Sequence, residues 1–459
     1  MLDIVLLLFL AALVLLGMRR PFIWVLAYLY VDIVAPQKIG WVILPSVQAS
    51  LITFVLAFAG VALFDNKKGI RFTARQALLL MLLLWCGLTT SFADFPESAQ
   101  TKWAWVWKSM LFALFLPLAV RTRLRLEAAV TVCTLSLAAI VISGGIKTLL
   151  GGGGYGMLVT LSSDNAGIYE GSTLSTVTIA SIPLIWWLAR HSTIFPARTR
   201  PVMLFALGLT FASLLIPVGT QTRTGLLCIG FLGVLMMRTV KHRFAYASLA
   251  GVLVLLSLPF LPQSYQERMS TISNHQADQS AATRVEVWKW TLEYVAESPM
   301  GGGFDSFLGN SFTYETVKQV EEGSVIRTER SQVTDSGRAF HSAYFEVLGE
   351  QGVPGFLLWI TLHVSGLVSM ERLRRRGLAS EEPEMQRWGA LANALQQVQL
   401  VYLLGALFVG IAYQPFILMV IGLQISLATI VANGDRRATE MERKERKAQR
   451  RAVNRELAT

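Results

Sequence analysis

The chain has little charge and little cysteine for its length. Only 15% of its 459 residues are Asp, Glu, Lys or Arg, whereas 53% are hydrophobic and the mean hydropathy is +0.49. A soluble domain carries roughly a quarter charged residues, so a soluble enzyme, a nucleic-acid binder and a fibrous protein are excluded. The three cysteines, Cys86, Cys133 and Cys228, lie in apolar stretches without metal-ligand spacing. They imply no disulfide framework and read as small core residues. The five histidines form no His, Cys and carboxylate cluster at ligand spacing, so no metal is expected. Also missing are the segments of about ten alternating residues that mark a transmembrane barrel.

What is present is a series of continuous apolar blocks of about 15 to 20 residues, the length a helix needs to cross a bilayer while satisfying its own backbone. The fold class is all-α: a polytopic membrane protein of about 12 to 13 transmembrane helices. Spans are expected near 2–17, 21–36, 48–64, 75–91, 105–120, 127–143, 173–189, 201–217, 224–237, 244–261, 353–370, 394–412 and 415–432. The run from Leu2 to Leu16 lacks a basic n-region and a cleavage site and is followed by Arg19 and Arg20, so it reads as a retained first helix.

The formal charge of +11 sits at the membrane boundaries, which argues against a nucleic-acid partner. With these spans, Arg19 and Arg20, then Lys67 to Arg75, Arg121 to Arg125, Arg190 to Arg200, Arg238 to Arg243 and Arg372 to Arg376 fall on one side. The positive-inside rule makes that side cytoplasmic, with the N-terminus outside. The basic tail from Asp435 then lies inside, where it is solvated or touches lipid headgroups. The resulting organisation is an N-terminal transmembrane bundle (1–143), an outward Gly-rich loop (144–172), central transmembrane helices (173–261), a large outward subdomain with helical pattern (262–352), C-terminal transmembrane helices (353–432) and the tail (433–459). Function is expected to face outward, where the long loops are.

The Gly151 to Gly156 run lacks the Lys-Ser/Thr of a phosphate loop and reads as a flexible loop. After it, Asp164 and Glu170 are either solvated or in contact with a sugar or an ion. Gln221 to Gly225 (QTRTG) is a tight outward turn that puts Arg223 at the hydrocarbon edge, either snorkelling to headgroups or clasping a phosphate. Ala281 to Glu297 is an amphipathic helix with Val285, Trp288, Leu292 and Val295 on one stripe, suited to the membrane interface, and Arg284 lies one turn before Trp288. Gly301 to Gly303 breaks that helix and permits a close backbone approach. From Arg338 to Gly355 the chain reads as a short helix leading into a span. His341 stands at its start, where Arg338 and the helix N-terminus both disfavour imidazolium and leave a neutral ring able to act as a base. His191, His242, His275 and His363 lack comparable company.

QTRTG, the Arg284 and Trp288 pair followed by SPMGGGFDSF at Ser298 to Phe307, and HSAYFEVLGEQGVPG at His341 to Gly355 together resemble the shared core of the O-antigen ligase and polymerase family. The resemblance covers roughly residues 200 to 430; the first half looks more like O-glycosylation ligases of exosortase-associated clusters. It implies a C-type membrane glycosyltransferase in the bacterial inner membrane, active on the periplasmic face without cofactor. The implied donor is an undecaprenyl-diphosphate-linked glycan, and the implied acceptor is a hydroxyl of lipid A-core or of another molecule. Membrane lipids are the remaining partners.

Carried over by motif, Arg223 and Arg284 bind the diphosphate and His341 takes the acceptor proton. Arg338, Trp288, Gly302, Gly303 and Tyr344 complete the expected substrate site. Ser342 is a departure, since the family often has Asn after its histidine. A polymerase or a protein O-glycosyltransferase shares these motifs. A polyisoprenoid-sugar transporter is the distant alternative, disfavoured by nearly uncharged span midplanes and by the lack of a repeat between the two halves.

Overall fold

The computed structural model describes residues 2–40, 42–67, 70–150, 167–238, 279–322 and 325–456. In chain order its helices are α1 (Leu2–Arg19), α2 (Phe22–Val34), the short α3 (Pro36–Ile39), α4 (Ala49–Phe64), α5 (Ala74–Thr90), α6 (Pro96–Ala119), α7 (Arg123–Leu150), α8 (Gly171–His191), α9 (Arg200–Gly219) and α10 (Arg223–Met237). There follow α11 (Gln279–Glu297), strands β1 (Ser311–Glu322) and β2 (Val325–Ser336), α12 (Ala343–Ala379), α13 (Pro383–Gly405) and α14 (Pro415–Glu456).

Among the described residues six helices, α1, α7, α8, α9, α12 and α14, are long and apolar enough to cross a membrane, and α2, α4, α5 and α10 are shorter apolar helices. The protein is thus an all-α polytopic membrane protein. Every expected span except 244–261 falls on a described helix; that span, the Gly151 to Gly156 run and Asp164 lie outside the described residues. The span expected at 394–412 ends earlier, at Gly405, and the chain from there to Gln414 is turn and extended backbone.

Burial separates centre from rim. The apolar stretch of α8 is 89% buried and that of α1 only 17%, so α8 is the centre of the bundle and α1 presents its sides outward. Around α8 lie α9, α10 and α13; α12 runs along α13 and α5. Local chemistry sets the helix starts. Thr73 and Gln76 form a reciprocal capping box at α5, and the Glu170 carboxylate caps α8 by accepting from the Ser172 and Thr173 amides at 3.0 and 2.6 Å.

The large loop holds more than helix. Its second half is an antiparallel hairpin whose register runs from Ser311 opposite Ser336 to Glu322 opposite Val325. The helical pattern expected there holds for α11 only. The Thr- and Val-rich alternation of FTYETVKQV and IRTERSQVT has a period of two and favours strands. On α11 itself the stripe expected in the membrane interface divides: Val285 and Leu292 are exposed, while Val295 is buried and faces the protein together with Val287 and Thr291.

α12 fixes the distance between the two ends of the bundle. Its 37 residues span about 55 Å at helical rise, with a break at Gly352 (φ 63°, ψ −169°). His341 precedes its start, and near its other end Arg376 pairs with Asp435 of α14 at 2.6 Å. Arg374 and Arg375 pair there with Glu371. The basic residues of this helix therefore gather far from the histidine.

Candidate functional site

His341 is held in a left-handed backbone conformation (φ 49°) two residues before the first helical residue, Ala343. Such a conformation costs about 1 kcal/mol or more for a residue with a side chain, so neighbours must enforce it. On one side the Trp288 indole donates to the Phe340 carbonyl at 2.9 Å and stacks on Phe345 with centroids 4.9 Å apart and planes 4° from parallel. On the other, the Ala343 amide donates to the Ala406 carbonyl at 2.8 Å. Asn310 clamps the approach: its side chain accepts from the Arg338 amide at 2.9 Å and donates to the Arg338 carbonyl at 2.6 Å.

A cavity of about 470 Å³ opens in front of His341, with Arg284, Glu170, Ser172, Thr173, Lys102, Glu346 and Glu350 among the residues in its wall. Burial holds the His341 imidazole below its ordinary range, and the Arg284 and Arg338 charges push in the same direction while Glu170 opposes them. The ring is therefore neutral and able to accept a proton at neutral pH.

Beneath this cavity Lys102 of α6 donates to Glu346 Oε1 at 2.8 Å and to Glu350 Oε1 at 2.7 Å, with Asp305 Oδ1 at 3.5 Å. Glu346 and Glu350 stand one turn apart on α12 and face the same cation. Glu346 Oε2 accepts from the Ala412 amide at 3.0 Å, and Glu350 Oε1 from the Asp305 amide at 3.0 Å. One lysine thus ties together α6, the loop at Asp305 and the helix that follows His341.

Of the residues expected from sequence, His341 and Arg284 are brought into one cavity. Arg223 starts α10 beside a cluster of hydroxyls in which Ser175 meets Thr220 and Thr222, each at 2.8 Å, and it does not line this cavity. Arg338 lies outside the wall, half exposed and paired with Asp335 at 2.7 Å, yet near enough to act on the His341 charge.

The other residues expected at the substrate site make contacts within the protein. Trp288 covers Phe345, and the Tyr344 hydroxyl donates to the Leu403 carbonyl at 3.2 Å. The Gly302 and Gly303 amides donate to the Gly349 and Glu350 carbonyls of α12 at 3.1 and 2.9 Å, and their bare Cα faces pack on Asp94, Tyr294 and Ala93, so these amides are already bonded within the protein. His363, read as lacking company, sits in a buried polar chain in which Gln399 Nε2 meets His363 Nδ1 at 2.9 Å, Gln424 donates to Gln399, and Arg75 donates to Gln424.

Sequence reasoning missed Lys102, Asp305, Glu346 and Glu350 as a group. Only the two glutamates carry a local signal. Two glutamates at i and i+4 on a helix that leads straight into a membrane span need a buried cation. The sequence marks Glu170 only as a polar loop residue; the structure puts it at the start of α8, in the same cavity wall as His341.

These features define a multi-pass membrane protein with a polar cavity at one end of its helical bundle, where a neutral histidine faces an arginine. Residues 208–360, which contain both, match the family described as O-antigen ligase. The family is one of ligase- and polymerase-type glycosyltransferases, which act on lipid-linked glycans and acceptors. Residues 1–193 match a family of unknown function. No curated protein matches the chain.

Proposed function

We propose that the protein is an O-antigen ligase-type glycosyltransferase that moves a glycan from undecaprenyl diphosphate to a hydroxyl of lipid A-core on the periplasmic face of the bacterial inner membrane. The observation that carries this reading is the shared cavity of a neutral His341 and Arg284 at the end of the bundle remote from the α12 basic cluster. In the reaction His341 takes the proton of the acceptor hydroxyl as its oxygen bonds to the sugar's anomeric carbon. The bond from that carbon to the diphosphate oxygen breaks with inversion, and the electron pair leaves on undecaprenyl diphosphate. Arg284, the arginine in the cavity wall, stabilises the charge that grows on the leaving group. Diphosphate is a good leaving group in its own right, so no metal enters the scheme.

Wild type and His341→Ala, expressed at matched levels in a Gram-negative host that lacks its own ligase but makes carrier-linked O-antigen, test the reading by gel analysis of lipopolysaccharide. A ladder restored by wild type alone supports it. Lipopolysaccharide that stays bare with wild type, alongside elongated carrier-linked polymer or glycosylated protein, would move the acceptor to a second carrier-linked repeat or to a protein. A ladder from both would remove His341 as the base.

A further inference from the structure

A second cavity of about 530 Å³ adjoins the one in front of His341, and the two share Lys102, Gly167, Glu346, Gly410 and Gln414 in their walls. Most of the remaining wall comes from the end of α2, from α3 and from the first turns of α6, all within the N-terminal region whose family has no assigned function. Its volume falls within the range of about 300 to 1,000 Å³ usual for small-molecule sites.

The chemistry of this wall differs from that of its neighbour. Asp32, Asp305 and Glu346 share the wall with Lys38 and Lys102, so it carries no excess of positive charge to hold a diphosphate. Between the charges stand the amides of Gln37 and Gln414, the hydroxyl of Thr101 and the ring of Trp105, which is 39% exposed. Gln37 Oε1 is sheltered from solvent and accepts no hydrogen bond among the described residues. A sheltered acceptor without a donor is costly and becomes satisfied when a ligand hydroxyl enters. Carboxylates and amides that accept from hydroxyls, beside an aromatic face that covers C–H groups, suit an uncharged, polyhydroxylated ligand.

We propose that this cavity is a glycan subsite built by the N-terminal region, with Trp105 and Gln37 as specificity-determining residues that hold uncharged sugar rings next to the reacting centre. The inference rests on the glycosyltransferase reading above. The sugars can belong to the donor, next to its diphosphate, or to the acceptor, and the experiment separates the two.

Full-length protein in nanodiscs, as wild type, Trp105→Ala, Gln37→Ala and Arg284→Ala, is titrated with bare undecaprenyl diphosphate and with the same carrier bearing the host's O-antigen repeat. Transfer is then measured against lipid A-core concentration. The Trp105 and Gln37 variants are expected to bind the bare carrier as wild type does. If the donor's sugars fill the cavity, these variants lose about three- to tenfold in affinity for the glycan-bearing carrier, the size of one stacking or hydrogen-bonding contact. If the acceptor's sugars do, donor affinity stands and the KM for lipid A-core rises by a similar factor. Variants that change neither quantity overturn the subsite. An Arg284→Ala variant that binds the bare carrier as tightly as wild type counts instead against the diphosphate assignment, a separate result.

Discussion

Lys102 and Glu350 meet at 2.7 Å and join the N-terminal region to the segment that carries His341. Glu350 is fully buried and Lys102 13% exposed, with Glu346 as a second close partner. Burying such charges is tolerable only while they remain paired. Lys102→Met leaves Glu346, Glu350 and Asp305 without their shared cation and is expected to destabilise the protein by about 3 to 5 kcal/mol. Thermal unfolding in detergent measures this. Adding Glu350→Gln should recover part of the loss, since a neutral amide needs no counter-charge. An unchanged melting temperature for Lys102→Met would show that the cluster is not a structural tie.

The turn at Gly301 to Gly303 makes a second, sharper demand. Gly301 and Gly303 have φ of 79° and 74°, and a Cβ on Gly303 would stand 2.8 Å from the Ala93 Cα. On Gly301 it would stand 2.4 Å from the Gly352 amide nitrogen, at the break in α12. Strain and overlap act together, so Gly301→Ala and Gly303→Ala should each cost about 2 kcal/mol or more. Hydrogen exchange at residues 343–351 should rise with the loss. A Gly303→Ala variant with wild-type stability and activity would mean that the Ala93 backbone gives way easily.

How far the sequence discloses this architecture depends on the range of the interactions. The spans follow from continuous apolar runs, a property of each segment alone, and they fall on helices because a bilayer-crossing chain must satisfy its own backbone. His341 and Arg284 are legible because each stands in a short motif with local company. Lys102 is not, since its partners are more than 200 residues away, and no local rule links a lysine before one span to two glutamates before another. Trp288 shows the opposite error. Its spacing on α11 suggests an interface helix, yet its ring is covered by Phe345, and only the tertiary fold shows that it braces the histidine. The hairpin is hidden by its setting: its strands follow α11 in the same long loop, whose helical pattern draws attention from their alternation.

Trp288 accordingly has a testable division of labour. It does not line the cavity but holds Phe340 and Phe345 on either side of His341. Trp288→Ala should lower kcat by about tenfold or more through misplacement of the imidazole while leaving the KM for the lipid-linked donor within about twofold. Trp288→Phe, which keeps the stack and loses the hydrogen bond, should fall between the two. A raised donor KM with unchanged kcat would put Trp288 in contact with the donor instead.

The charge environment of His341 fixes the sign of a pH experiment. Its pKa is depressed, first by burial and then by Arg284 and Arg338, so the neutral base persists below the ordinary imidazole range, and the acid limb of kcat/KM should lie below about 6.5. Removing a positive neighbour relieves the depression. Arg338→Gln should therefore move the limb to higher pH, and only weakly because the Arg338 side chain is 51% exposed and its field is screened by solvent. Removing a negative neighbour acts in reverse. Glu170 favours the imidazolium, and Glu170→Gln, which keeps an oxygen to cap α8, should move the limb to lower pH. Either substitution can change the overall rate, but only the titrating group can move the limb in opposite directions for the two. A limb that ignores both would mean that some other residue accepts the proton.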